Sequence, residues 1–327
     1  MAESGPKKIV YLFGAGATHA ELENVILDLV PEQVGLLISQ VSTRVIEKAR
    51  RDDSYLKDMD TVTATKGSLN IELLISLIEN SKVNGWEKKS QRLKELVQQD
   101  IEAVLAKYRR RFYLHKALFE LHDQAKVKAK ERVIGCISLN YDDVLDVAYQ
   151  KYLGTPNYCI SLRQTSTSEH IPLLKLHGSF KWQDQKVWER IRTIEIIPLG
   201  SNKSYLHAPY NAIWNRAMEV LIRCNTLRVI GCSLSQNDVH LIDLLFKAHL
   251  ERREAFDIEL ISPQESGDQI QYNYGFFPQI KTLREIEGHL IPAPNPPNPF
   301  KTWLKYKVRS ILGDNPNGTE YLSTLLN

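Results

Sequence analysis

Long apolar runs are missing from this 327-residue chain. No segment approaches the roughly 18 to 20 residues that a bilayer-spanning helix needs. The N-terminus has no apolar core between a basic start and a small-residue cleavage site, so no secretory signal is predicted. Both absences predict a cytoplasmic protein without membrane contact. Cysteine is scarce: Cys136, Cys159, Cys224 and Cys232 are the four, with no C-x-x-C pair, which removes the usual signature of a structural zinc site or redox dithiol. An excess of charge of either sign is also lacking. Lys plus Arg is 42 against 39 Asp plus Glu, a net charge of +3, which argues against a dedicated nucleic-acid binder. Proline is absent from Glu32 through Thr155, consistent with long uninterrupted helices.

What is present is a repeated grammar of short apolar run, polar or glycine cluster, and helical pattern. Ile9 to Phe13 runs into Gly14-Ala15-Gly16-Ala17-Thr18, followed by helix-like spacing from His19 to Ile38. Val133 to Leu139 delivers Asn140-Tyr141-Asp142-Asp143 ahead of a helix over Val144 to Tyr152. Ile171 to Leu176 ends in His177-Gly178-Ser179, and Thr226 to Ile230 in Gly231-Cys232-Ser233-Leu234-Ser235, where Asn237 and Asp238 are set to cap a helix through Leu250. Phe256 to Ile261 ends at Ser262-Pro263, and Ile280 to Leu283 is one more short strand.

This pattern predicts an α/β fold, a Rossmann-like parallel sheet with helices on both faces, built from residues 1–38 and 131–290. Residues 39–130 are polar, charged and helical, with apolar faces at Leu69 to Leu77 and Leu93 to Leu121, and read as a helical insertion. Residues 291–327 are a proline-rich connector, Pro292 to Pro299, and a helical tail over Phe300 to Leu312 and Thr319 to Leu326. Basic runs at Tyr108 to Arg111 and at Lys126, Lys128, Lys130 and Arg132 read as solvated helix faces before they read as phosphate contacts.

A parallel sheet gathers its strand ends along one edge, so Gly14/Gly16, Asn140/Asp142, His177 and Gly231/Ser233 should meet around one ligand. Glycine turns before a helix suit phosphates. Asn and Asp can hold ribose hydroxyls or a carboxamide, and a His can take a proton near neutral pH. Each residue alone also has a plain structural reading, as a helix cap or a turn residue. A dinucleotide fits the set.

The order Gly14-Ala15-Gly16, Asn140-Tyr141-Asp142, His177-Gly178 and Gly231-Cys232-Ser233-Leu234 resembles the sirtuin family, and within it the bacterial sirtuin-like proteins of anti-phage defence. The resemblance implies NAD as substrate: Gly14, Ala15, Gly16 and Thr18 at its phosphates, Gly231, Ser233 and Ser262 among its contacts, Asn140 and Asp142 at the nicotinamide ribose, and His177 as general base. Ser138 and Leu139 stand where the family has Thr and Gln. The chain lacks the family's G-I-P-x-F-R type stretch and zinc cysteines, and helices lie between its first and second motifs. These departures argue against protein deacylation and imply hydrolysis of NAD to nicotinamide and ADP-ribose, with no metal. The resemblance further implies a homo-oligomer and a HerA-type DNA-translocating ATPase as partner. Two other readings share part of the pattern, a sensor of NAD or ADP-ribose and a nucleic-acid-acting subunit of a defence complex.

Overall fold

The computed structural model describes residues 5–26, 41–52, 70–82, 84–107, 112–124, 131–160, 171–183, 196, 209–235, 238–252, 257–262, 270–287, 298–314 and 319–326. The basic runs at 108–111 and 126–130, the proline-rich stretch 292–297, Asn237 and most of 193–199, a stretch whose sequence is strand-like, lie outside the described residues.

Six strands form one parallel sheet: β1 (Lys7–Phe13), β2 (Glu131–Ser138), β3 (Leu173–Lys175), β4 (Thr226–Ile230), β5 (Asp257–Ile261) and β6 (Ile280–Thr282), in the spatial order β3-β2-β1-β4-β5-β6. Each pairing is parallel. This is the doubly wound Rossmann order, in which the chain changes direction across the sheet between β1 and β4 and leaves a crevice at their carboxyl ends. The central strands are covered on both faces: Ile9 to Phe13 are fully buried, as are Leu227 and Ile258. Their apolar runs follow from that double burial.

Helices α1 (Ala15–Ile26), α2 (Val41–Asp52), α3 (Ile71–Ser81), α4 (Trp86–Lys107), α5 (Leu114–Gln124), α6 (Val144–Leu153), α7 (Tyr210–Arg223), α8 (Val239–Glu251), α9 (Leu283–Glu287), α10 (Pro299–Leu312) and α11 (Glu320–Leu326), with a short 3-10 helix over Phe180–Gln183, complete the described elements. One face of the sheet carries α7, which packs on β1 to β3 and on α8; the other carries α1, α5 and α10, which pack on one another. The apolar pattern from Leu93 to Leu121 is divided between two helices, α4 and α5. They join different cores. The buried residues of α2, α3 and α4 form their own cluster, which also takes in Tyr141, Val144 and Phe180. Those of α5 belong to the main core with the sheet.

Glu21 explains how α5 is held there. Its fully buried carboxylate accepts the backbone N–H groups of Tyr113, Leu114 and His115 at 2.7 to 3.0 Å and contacts His115 Nδ1 at 2.7 Å. A carboxylate at those first-turn donors satisfies them and complements the helix dipole. The C-terminal α10 starts at Pro299 behind an Asn298 cap and packs back on the domain through buried Phe300, Trp303, Leu304 and Val308. No helix among the described residues is long and apolar enough to cross a membrane.

Candidate active site

A cleft opens at the carboxyl ends of β1 and β4, the switch point of the sheet, lined by Gly14, Ala15, Glu72, Leu139, Asn140, His177, Gly231, Cys232, Ser233, Leu234, Ser235, Asp238 and Leu241. Gly14, Ala15, Asn140, His177, Gly231 and Ser233, all expected from the sequence, therefore face one space. Gly16, Thr18, Asp142 and Ser262 are not in its lining. The reasons are local.

Gly14 and Gly16 let two turns touch. The N–H of Gly14 donates to Ile230 O at 3.0 Å and that of Gly16 to Gly231 O at 2.9 Å. A Cβ on Gly14 would lie 2.5 Å from Gly231 O, and one on Gly16 2.8 Å from Gly231 Cα. Gly231 itself has φ +62°, and a Cβ there would stand 2.2 Å from Ala17 N. The three glycines thus weld the end of β1 to the end of β4, and the amides of Gly14 and Gly16 are engaged with protein carbonyls. Gly16→Ala is expected to cost about 1–3 kcal/mol through overpacking against immovable backbone, read as a lower denaturation midpoint at unchanged slope.

Asn140, Thr18 and Asp142 form a brace beneath the cleft. Asn140 Nδ2 donates to Gly14 O and to Thr18 Oγ1, each at 3.0 Å, and Thr18 Oγ1 donates to Asp142 Oδ2 at 3.0 Å. The other Asp142 oxygen accepts Val144 N–H at 3.0 Å, capping α6. Asp143, the residue before that helix, makes no side-chain cap bond. Both donors of the Asn140 amide are engaged, so what this residue can offer a ligand is its carbonyl oxygen, an acceptor for a hydroxyl. Thr18 and Asp142 are buried, and Thr18 links the Asp142 carboxylate to the Asn140 amide.

Burial pushes the Asp142 carboxyl up from its ordinary value, against the opposing pull of Lys175 and of the hydrogen bonds from Val144 and Thr18. A folded-state pKa above the unfolded one means that the charged form costs stability at pH values above the folded pKa, and that the cost is relieved as pH falls through it. Asp142→Asn, which keeps an acceptor for Val144, is therefore expected to stay within about 1 kcal/mol of the parent at pH 7. Asp142→Ala, which removes the cap, should lose about 1–2 kcal/mol; urea denaturation of the pair checks the contrast.

Lys175, fully buried at the end of β3, donates to Asp142 O and, at 2.8 Å, to Asp146 Oδ2, whose other oxygen accepts the Tyr158 hydroxyl at 2.6 Å. The turn after β3 then presents His177. Gly178 takes φ +84°, Trp214 Nε1 donates to Leu176 O at 3.1 Å, and Phe180 N donates to Tyr141 O at 3.1 Å. His177 is only 2% exposed, and its Nε2 lies 3.3 Å from Asp238 Oδ2, itself buried. Asp238 also caps α8, accepting Leu241 N–H at 3.4 Å. An imidazole facing a carboxylate on one nitrogen is held in one orientation and steadied when it takes a proton, the arrangement a general base needs.

Two cleft residues escape sequence reading in their site role. Asp238 is legible as a helix cap but not as the partner of His177. Glu72 comes from α3 and accepts the Tyr141 hydroxyl at 2.7 Å. Burial and the adjacent Glu72 carboxylate push the Tyr141 phenol well up, so it remains a donor. Leu234 supplies the remaining local oddity, with φ +51° in the β4 turn, a left-handed conformation costing a non-glycine residue roughly 1–2 kcal/mol. Ser262 follows β5 at the same sheet edge. The four cysteines are free and buried; burial pushes the Cys136 thiol far up and that of Cys224 up to about 12. Among the described residues no group of three or more His, Cys, Asp or Glu side chains could hold a metal ion.

Three solved structures illustrate what the chain is similar to. One, from work on the mechanism and regulation of Sir2 enzymes, is 14% identical, with 94% of this chain and 92% of that chain covered at a TM-score of 0.40. A Sir2 homolog–NAD complex is 14% identical over 83% of this chain and 91% of its own, at 0.39. Sir2Tm bound to a propionylated peptide is 12% identical over 79% and 82%, at 0.37. Values this low transfer no residue roles. A comparison with curated proteins finds no match. Residues 135–264, which run from β2 past β5 and hold Asn140, His177 and the Gly231 turn, match the family model described as a SIR2-like domain.

Proposed function

We propose that the protein is an NAD glycohydrolase, cleaving the bond between nicotinamide and ribose to give nicotinamide and ADP-ribose. The observation that carries this reading is the convergence of Asn140, His177 with Asp238, and the Gly14 and Gly231 turns on one cleft at the switch point of a Rossmann-ordered sheet. In the proposed reaction the dinucleotide lies across the β1 and β4 turns with its nicotinamide ribose at the Asn140 end. The Asn140 carbonyl accepts a ribose hydroxyl. His177, held by Asp238, removes a proton from the attacking water directly or through a ribose hydroxyl. The glycosidic bond breaks through an oxocarbenium-like sugar, whose positive charge the amide dipole and nearby carboxylates stabilise. The electron pair leaves with nicotinamide, and water supplies the hydroxyl of ADP-ribose.

The braced pair Thr18 and Asp142 positions Asn140, and Gly16 sets the floor. Ser233 stands at the wall where a phosphate or ribose hydroxyl would rest, and Ser262 beyond it. Leu139, where the resemblance would place Gln, favours water over an acyl-lysine as acceptor. Unrestrained NAD hydrolysis would empty a cell, so the activity is held in check by assembly, as a homo-oligomer and with a HerA-type ATPase, and serves anti-phage defence by NAD depletion. The direct test incubates purified protein with NAD, alone and with its genomic-neighbour partner, and separates the products by chromatography. Equal amounts of nicotinamide and ADP-ribose support the reading. NAD left intact under every condition sinks it.

A further inference from the structure

Helix α8 is apolar on two sides. Leu241, Leu244, Leu245 and Ala248 are buried in the main core. On the opposite side Val239, Phe246 and Leu250 stand 57, 42 and 64% exposed. They are three of the five large apolar side chains that the described residues leave exposed, so such surface concentrates on this helix. A fourth, Tyr272, lies four residues before Phe276, whose ring meets that of Phe246 edge to face at 5.7 Å. Single exposed apolar side chains need no explanation, but a row of them marks a contact surface.

Spacing and charge say what covers it. Residues 239, 243, 246 and 250 follow one another at intervals of four, three and four, the seam of one helix laid against another. Asp243 is the polar member of the seam, and its carboxylate pairs with exposed Lys247, one turn on, at 2.7 Å. A two-fold axis crossing α8 near residue 245 sets Val239 opposite Leu250 of a second copy, Phe246 beside its own equivalent, and Asp243 opposite Lys247. The surface is complementary to itself when the two helices run antiparallel, as a two-fold contact requires. A parallel pair would set Asp243 against Asp243 and Lys247 against Lys247. We propose that the outer side of α8 is the contact through which two copies of this chain pair, antiparallel, with Asp243 and Lys247 fixing the register. The inference rests on the homo-oligomer proposed above and gives it a surface; it does not depend on the chemistry of the cleft. Asp238 and Leu241, at the start of the same helix, line the cleft, so the contact reaches the wall of the candidate site.

Sedimentation velocity of the full-length protein over a concentration series tests this. Two helices of this length meeting side by side cover less area than an obligate interface, so the parent is expected to pass from monomer to dimer with a dissociation constant on the order of 1–100 μM. Leu250→Lys, at an exposed position in the last turn, should weaken the dimer about tenfold or more. Asp243→Lys and Lys247→Asp each put like charges across the axis at both contacts, and each alone should weaken it about tenfold. An equal mixture of those two variants sets Lys against Asp at both contacts and should return to within about threefold of the parent, which also shows that both variants fold. A dimer untouched by Leu250→Lys, or a mixture that associates no more tightly than either variant alone, overturns the inference and leaves the homo-oligomer standing. A parent protein that stays monomeric at every concentration up to about 500 μM overturns both.

Discussion

His177→Ala is expected to lower nicotinamide release from NAD by about a hundred- to ten-thousandfold, the range that a positioned proton-transfer group contributes, while far-ultraviolet circular dichroism stays unchanged. The imidazole is buried, so some loss of stability will accompany the change. The diagnostic is therefore the comparison with Asp238→Asn, which keeps an acceptor for the α8 cap and removes the charge facing Nε2. If Asp238 steadies His177 as it takes a proton, the asparagine variant should lose turnover with little change in KM and should show an altered pH profile. A merely structural Asp238 would move stability and leave the pH profile alone. Full NAD cleavage by His177→Ala would remove His177 from the chemistry.

The second large effect lies within the sheet, beneath the C-terminal helix. Arg228 is buried in the middle of β4, where Nε donates to Glu259 at 2.6 Å and the two terminal nitrogens to Glu131 at 2.7 and 2.8 Å. The guanidinium also lies over the Tyr11 and Trp303 rings, 5.8 and 5.5 Å from their centroids, and donates to the Tyr11 hydroxyl at 3.2 Å. Lys307 of α10 stands 3.5 Å from Glu131. This cluster pins the C-terminal helix to the sheet. Arg228→Ala strands two carboxylates and is expected to cost about 3–5 kcal/mol in chemical denaturation. The triple change Arg228→Met, Glu131→Gln, Glu259→Gln should recover much of that loss, since it removes the charges together.

The same cluster sets the acid limit of the fold. Burial alone would raise the Glu131 carboxyl, but the hydrogen bonds and charge of Arg228, with Lys307, hold it down to about 2 from 4.5. Its stabilisation is complete above pH 4.5 and is lost as pH falls towards 2. His122 adds an earlier step. Its Nε2 lies 2.6 Å from the Tyr11 hydroxyl, which itself accepts from Arg228, so the ring serves as acceptor and stays neutral. Burial, followed by the charge of Arg228, pulls it down to about 3 from 6.5. A depressed folded pKa is stabilising above the unfolded value, so stability should begin to fall below pH 6.5, at no more than about 1.4 kcal/mol per pH unit. His122→Phe should flatten that first limb; an unchanged limb would assign it to another group.

The sheet was readable because its central strands are largely apolar runs closed by glycine or polar residues, and a helix pattern follows most of them. That periodicity places β1 to β6 within a few residues, and the gathering of strand ends at one edge predicts that Gly14, Asn140, His177 and Gly231 share one space, as they do in the cleft lining. The limits of that reading are equally physical. Glycine at positions 14 and 16 reads from the sequence as letting the backbone approach a pyrophosphate; the fold adds the close approach of two turns, a requirement invisible until β4 is known to lie beside β1. Asp142 has the residue type for a ribose contact and the position for a helix cap, and the fold uses it for the cap and for Thr18. Glu72 sits in an amphipathic helix with nothing local to mark it, because its place in the cleft lining and its bond to Tyr141 come from where α3 docks. Arg228 interrupts an apolar run between Leu227 and Val229, which signals a buried charge, but Glu131 and Glu259 are named as partners only by strand order.

A crystal structure of the protein with carbocyclic NAD bound tests the account most directly. Density is expected across the β1 and β4 turns, with the nicotinamide ribose within hydrogen-bonding distance of Asn140 and His177. A dinucleotide bound elsewhere, or bound in this cleft with its adenine end at His177, would contradict it.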